Sequence, residues 1–226
     1  MIHGIWYGDF EVRSMRDIPV FTTEYGVGSL VLREIPYRQE AYIRIQDTAF
    51  PKEFLEECVT FCRMAGAEKI YATGHAYLES FPLHSAIWKM QRSMENLPET
   101  EAMTMPVTEA TLDQWRQIYN TSMADVPNAS YMNAADGLKM LERGDGYFIH
   151  CHGQLLGIGI AADNIIQAID SVKPGAGKDV LLALTHALSG ETIELEVASA
   201  NERAVKFYER LGFVISVEFS RWYRLV

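Results

Sequence analysis

Leu195-Glu196-Val197-Ala198-Ser199-Ala200-Asn201-Glu202-Arg203-Ala204-Val205-Lys206-Phe207-Tyr208-Glu209-Arg210-Leu211-Gly212-Phe213 is the stretch on which the reading of this chain turns. Ile193–Val197 alternates apolar and acidic residues, the period of a half-buried strand. Asn201 is a preferred N-cap residue, and Glu202–Leu211 then carries apolar residues at helical spacing until Gly212 stops it. Phe213–Leu225 reads as a long terminal strand. Just upstream, Ile165–Val172 alternates as another strand and Val180–Leu188 as an apolar helix closed by Gly190. The order β-α-β-α-β implies local parallel pairing with right-handed crossovers.

Between that strand and helix lies Lys173-Pro174-Gly175-Ala176-Gly177-Lys178-Asp179. A glycine-rich turn feeding a helix N-terminus presents unpaired amides and the positive end of the helix dipole, which suits phosphate or pyrophosphate. A Walker A loop is excluded, because Val172 stands where its first glycine belongs and Asp179 where its Ser/Thr belongs. A dinucleotide fingerprint is excluded because Val180 replaces its third glycine. Taken alone, Gly175-Ala176-Gly177 reads first as a tight strand-to-helix turn.

The two features together resemble the GCN5-related N-acetyltransferase superfamily. Leu195, Val197, Asn201, Ala204, Tyr208, Gly212 and Phe213 fill its motif L-x-V-x-x-x-N-x-x-A-x-x-x-Y-x-x-x-G-F. Gly175-Ala176-Gly177 corresponds to the G-x-G/A part of its loop Q/R-x-x-G-x-G/A, with Val172 at the Q/R position. The resemblance implies an α/β (α+β) fold, with a mixed central sheet and helices on both faces. It also implies acetyl-CoA as co-substrate, no metal, and an amine acceptor such as a small molecule or a peptide N-terminus. The exposed backbone near Asp170, Ser171 and Val172 would pair with the pantetheine, and the amides of Gly175, Ala176, Gly177 and Lys178 would receive the pyrophosphate. Lys173 would replace the charge lost at Val172. Lys178 reads either as added charge or as an ordinary solvated lysine. Asn201 is both a cap and, in the family, a cofactor contact.

Acyl transfer to an amine requires proton removal from the amine and proton delivery to the departing thiolate. Tyr208 stands where the family places the phenol that protonates the thiolate. Glu196 leaves its strand opposite Leu195 and Val197, where the related ribosomal-protein alanine N-acetyltransferases carry a proposed base. With Glu194 beside it, a wetted sheet face is the alternative. A non-catalytic acyl-CoA-binding or regulatory module is the second functional reading, motivated by Val172 and by the single strand left after Phe213. A peptide-binding module keeping only the fold is the third.

Further upstream, Thr104–Val107 reads as a strand, Leu112–Ser122 and Ala134–Leu141 as helices, the latter ended by Gly144, and Tyr147–Ala161 as a hairpin turning at His152-Gly153-Gln154. The polar, acidic stretch 93–103 separates this from an N-terminal half. The expected division is 1–97, a linker 98–103, and an acetyltransferase domain 104–226. In the first half, Ser29–Tyr37 and Ala41–Gln46 read as strands, Lys52 onward as a helix, Lys69–Thr73 as a strand and His84–Met90 as a helix. That order repeats the middle of the second half, as a degenerate half-repeat would.

The chain has 226 residues, 48% hydrophobic and 22% charged, ordinary for a globular protein. Its net charge of -10 disfavours nucleic acid and favours a cationic acceptor. Residues 1–10 lack the form of a signal peptide and no apolar run is long enough to span a bilayer. Cys58, Cys62 and Cys151 number three, so they cannot all pair, and a reducing cytoplasm is expected. Cys58 and Cys62, four apart on a helix, read as buried apolar side chains rather than half of a metal site. His150 and His152, sent to one face by alternation, would still need more ligands to hold a metal. Trp115 and Tyr119 read as core or pocket wall, and a homodimer is among the expected partners.

Overall fold

The computed structural model describes residues 20–226, which form two compact units. The units divide within strands, at 87/88 and 218/219, rather than in the stretch 98–103.

The first unit comprises residues 20–87 and Phe219–Val226. Strands β1 (Val20–Thr23), β2 (Gly26–Val31) and β3 (Glu40–Thr48) form an antiparallel meander. The single helical turn α1 (Ile35–Arg38) interrupts what alternation had suggested was strand to Tyr37, because Pro36 suits a first helical turn and breaks a ladder. Helix α2 (Pro51–Met64) buries Phe54, Leu55, Cys58 and Cys62 on one face. It starts on Pro51 and places Glu53 in its first turn and Arg63 in its last, both favourable to the helix dipole. Strand β4 (Lys69–Thr73) pairs parallel with β3 over five residues, Glu40↔Lys69 to Arg44↔Thr73. The end of β11 (Val214–Arg224) pairs antiparallel with β4 through Tyr223↔Ala72.

The expected helix over 84–90 is instead part of strand β5 (Leu83–Ser93). Ala86 and Met90 stand at helical spacing, but Ile87 and Trp88 prefer a pleated surface, and the place of this strand between β11 and the strand Thr192–Ala198 overrides the local pattern.

The second unit, Trp88–Glu218, begins with the end of β5 and continues with β6 (Met103–Pro106), α3 (Leu112–Met123) and α4 (Ala134–Arg143). Asn133 caps α4 by accepting from the Asp136 amide at 2.9 Å, and Gly144 ends it in the left-handed conformation. Strands β7 (Gly146–Cys151), β8 (Gln154–Ala162) and β9 (Ile165–Ser171) continue an antiparallel meander from β6. Helix α5 (Gly177–Thr185) is buried almost all round, and its regular part ends before Gly190, with looser turns reaching Leu188. It then leads to β10 (Thr192–Ala198), parallel to β9. Helix α6 (Glu202–Arg210) turns Ala204, Val205, Phe207 and Tyr208 inward. The strand order in this unit is β11-β5-β10-β9-β8-β7-β6.

The core of this unit forms where α5 meets β8. An added Cβ at Gly157 would stand 2.2 Å from the Asp170 carbonyl oxygen and 2.8 Å from Val180, and one at Gly159 would stand 2.4 Å from Leu184. These two glycines let α5 lie directly on the sheet. Among the described residues no helix is long and apolar enough to cross a membrane.

Candidate functional site

Strands β9 and β10 pair in register at only two positions, Glu194↔Ile165 and Leu195↔Ile166. Beyond them, Gln167–Ser171 and Glu196–Ala198 part company, although both strands continue. A parallel pair that splays leaves main-chain amides and carbonyls open along the gap, and such groups require partners. The corresponding β3–β4 pair stays zipped for five residues. The turn after β3 also lacks a glycine loop, running through Phe50 into Pro51, which has no amide hydrogen to offer.

The splay opens toward the loop after β9. Gly175 has φ +85, a conformation costly for any residue with a Cβ. Helix α5 begins on Ala176, whose side chain can accept no hydrogen bond. The Ala176 amide donates to the Lys173 carbonyl at 3.2 Å, and the Val180 amide starts the helical ladder onto Ala176 at 2.9 Å. The amides of Gly177, Lys178 and Asp179 precede that ladder and point out of the helix end. With the positive end of the helix dipole behind them, they form an anion seat.

A cavity of about 350 Å³ lies there, lined by Ser171, Gly175, Gly177, Lys178, Arg203, Phe207, Arg210 and Leu211. Of the residues expected from sequence, Ser171, Gly175, Gly177 and Lys178 meet at this cavity. Val172, Lys173, Ala176, Asn201, Glu196 and Tyr208 are outside its lining. Val172 is exposed. Lys173 directs its ammonium away, donating to Gln154 Oε1 at 2.7 Å. Asn201 accepts from the Ala204 amide at 3.2 Å, as its N-cap role requires.

Sequence reasoning missed Arg203 and Arg210. They are seven apart on α6 with Phe207 between, the i, i+4, i+7 spacing that sets three side chains on one face. The motif drew attention to the buried face of this helix, whereas the arginines occupy the face toward the loop.

Tyr208 is fully buried against Phe207 and Phe213, with ring centroids 5.4 and 5.7 Å away. Its hydroxyl has no hydrogen-bond partner among the described residues. Burial pushes its phenol above the ordinary value of 10.0, so it remains a proton donor at neutral pH. On β10, Ile193, Leu195 and Val197 are buried, and Glu194 and Glu196 project from the opposite, half-buried face. Glu194 is ion-paired with Lys89. Trp115 is buried and donates to the Tyr147 carbonyl at 2.9 Å, with Tyr119 stacked on it at 5.4 Å. Ser122, at the end of α3, donates to the buried Asp170 carboxylate, tying that helix to the last turn of β9.

No protein-family profile and no curated protein matches the chain. Solved structures do. A GCN5-related N-acetyltransferase from Sphaerobacter thermophilus superposes with a TM-score of 0.53 at 14% identity, over 88% of this chain and 75% of its own. One from Anabaena variabilis gives 0.56 at 9% identity, over 92% of this chain and 58% of its own. A functionally unknown conserved protein from Staphylococcus epidermidis gives 0.57 at 10% identity, over 92% of this chain and 93% of its own.

Proposed function

Because this chain has the fold of the GCN5-related N-acetyltransferases, we propose that it is an acetyl-CoA-dependent N-acetyltransferase that modifies a primary amine by direct attack. The observation that carries this reading is the splay of β9 from β10 opening onto the uncapped amides of α5. A pantetheine arm needs exposed strand edges, a pyrophosphate needs outward amides, and a buried phenol without a partner needs a group to bond. All three occur in one unit.

Acetyl-CoA would supply the activated acetyl group as a thioester. Backbone groups of Asp170, Ser171 and Val172 would hold the pantetheine by completing the ladder left open beside β9. The amides of Gly177, Lys178 and Asp179 would bind the pyrophosphate, and Gly175 allows the chain to turn close beneath it. Lys178, Arg203 and Arg210 would add positive charge on the phosphate side of the cavity. The Tyr208 hydroxyl would deliver a proton to the sulfur, and Glu196 would take one from the amine. Burial holds the phenol protonated and makes it a weaker acid than an ordinary tyrosine, so its proton would pass only to a sulfur already bearing the charge of the departing thiolate.

Thermal unfolding in the presence of acetyl-CoA, followed by acetyl transfer across a panel of primary amines, tests the proposal. Binding should raise the midpoint by mass action, and Tyr208→Phe should lower kcat by about 10²–10⁴ with little change in KM for acetyl-CoA. The same substitution should leave the free protein at least as stable, since an unpaired buried hydroxyl costs about 1–3 kcal/mol. The complete burial of Tyr208 favours a second reading, an acyl-CoA-binding module without turnover. Binding without transfer, indifferent to Tyr208→Phe, would select it.

A further inference from the structure

Glu101, Cys151 and His152 come together at the turn between β7 and β8, their ligand atoms all within 4.8 Å of one another. Sequence alone does not pair them, since fifty positions separate Glu101 from Cys151. The antiparallel register Met103↔His150 brings them together by carrying the segment before β6 past the end of β7. His152 Nε2 lies 2.9 Å from Glu101 Oε2, and the Cys151 thiol is free and half-buried. The turn conformation of His152, φ +49, and a bulge after Ile149 break the simple alternation, so His150 is not a member of the cluster.

We propose that Glu101, Cys151 and His152 form a site for a divalent cation of the zinc class, and that its occupancy is coupled to the glycine loop. One thiolate, one imidazole and one carboxylate, with water in the fourth position, make a complete tetrahedral zinc set. The thiolate selects against magnesium and calcium, which prefer oxygen alone. Exposed His–Glu pairing by itself contributes little, so the cluster has more to gain from an ion than from its own contacts.

The coupling follows from the neighbours of the three ligands. Thr100, adjacent to Glu101, donates to Asp179 in the first turn of α5 at 3.2 Å. Gln154, two positions after His152, accepts from Lys173 at 2.7 Å. The segments that carry the ligands therefore touch both ends of the loop 173–179. A cation that fixes Glu101 against the 151–152 turn would fix those two contacts, and linkage makes the effect reciprocal. The coupling rests on the acyl-CoA reading above, whereas the metal site does not.

Cobalt titration of the full chain, free of any affinity tag, decides the site. A thiolate-to-cobalt charge-transfer band should grow to one equivalent and vanish in Cys151→Ser. Cys58 and Cys62 cannot supply it, since both are buried in the core and burial pushes their thiols up to about 12 and about 11. A missing band, or a band that survives Cys151→Ser, overturns the site. Zinc should then change the Kd for CoA by about fivefold or more in the wild type and leave it unchanged in Cys151→Ser. Equal affinity with and without zinc overturns the coupling and leaves the site. No CoA binding in either state overturns the acyl-CoA reading and the coupling with it, while the cobalt spectrum still decides the site.

Discussion

At the scale of single residues, the charges that would hold CoA sit on a helix face that the family motif does not mark. Arg203 and Arg210 line the cavity from α6, opposite the amides of α5. Hydrogen bonds to charged groups contribute about 1.5–3 kcal/mol each, so the double change Arg203→Ala, Arg210→Ala should weaken CoA at least about tenfold. Calorimetric titration should show that loss with an unchanged thermal midpoint for the free protein, since both side chains are exposed. The Asn201 cap, the inward-turned Tyr208 and the glycine turn were legible as structure because motif spacing singles them out. The arginines were not, because an exposed charge has no pattern until the loop it faces is known. Lys173 illustrates the converse. Its place beside the glycines suggested a phosphate contact, but Gln154 on a neighbouring strand captures the ammonium.

At the scale of elements, the anion seat depends on how closely α5 lies on β8. Gly157 and Gly159 leave no room for a Cβ between the sheet and the helix. Gly157→Ala would press against the carbonyl oxygen of Asp170, a backbone atom that cannot swing aside. The substitution should cost about 1–3 kcal/mol, the usual penalty of overpacking, measured by urea unfolding. It should also weaken CoA more than an equally destabilising change far from β9, because the displaced carbonyl belongs to the strand that ends at the loop. Helices α2, α5 and α6 and strand β4 were readable from local period and punctuation. Strand β5 was not, because its apolar spacing fits either period and only its neighbours in the sheet choose between them.

At the scale of the whole molecule, both units follow one plan: an antiparallel meander, a helix, then a parallel strand. We read this as a degenerate repeat of which only the second copy opens its parallel pair and carries a glycine loop. The first unit buries Cys58 and Cys62 in its core, and these thiols report on its integrity. Folded Cys58 and Cys62 hold their protons to about 12 and about 11, against an ordinary 9.0, chiefly because burial disfavours the thiolate. Below pH 9 both the folded and unfolded thiols are protonated and nothing changes. Above it the unfolded chain loses these protons first, so stability should fall as pH rises toward 11–12. Urea midpoints at a series of pH values should trace that decline, and the double change Cys58→Ala, Cys62→Ala should flatten its slope.

The sequence by itself determined the α/β class, most of the regular elements, the glycine loop, and the type of fold that the solved structures share. These are local properties, set by periodicity, capping and the few residues that tolerate a positive φ. Tertiary structure alone decided that β9 and β10 part after two pairs, that Arg203 and Arg210 face the loop, and that Glu101 meets Cys151 and His152. Each of these depends on strand register and helix rotation across long separations in the chain. Such contacts are fixed only when the cores close.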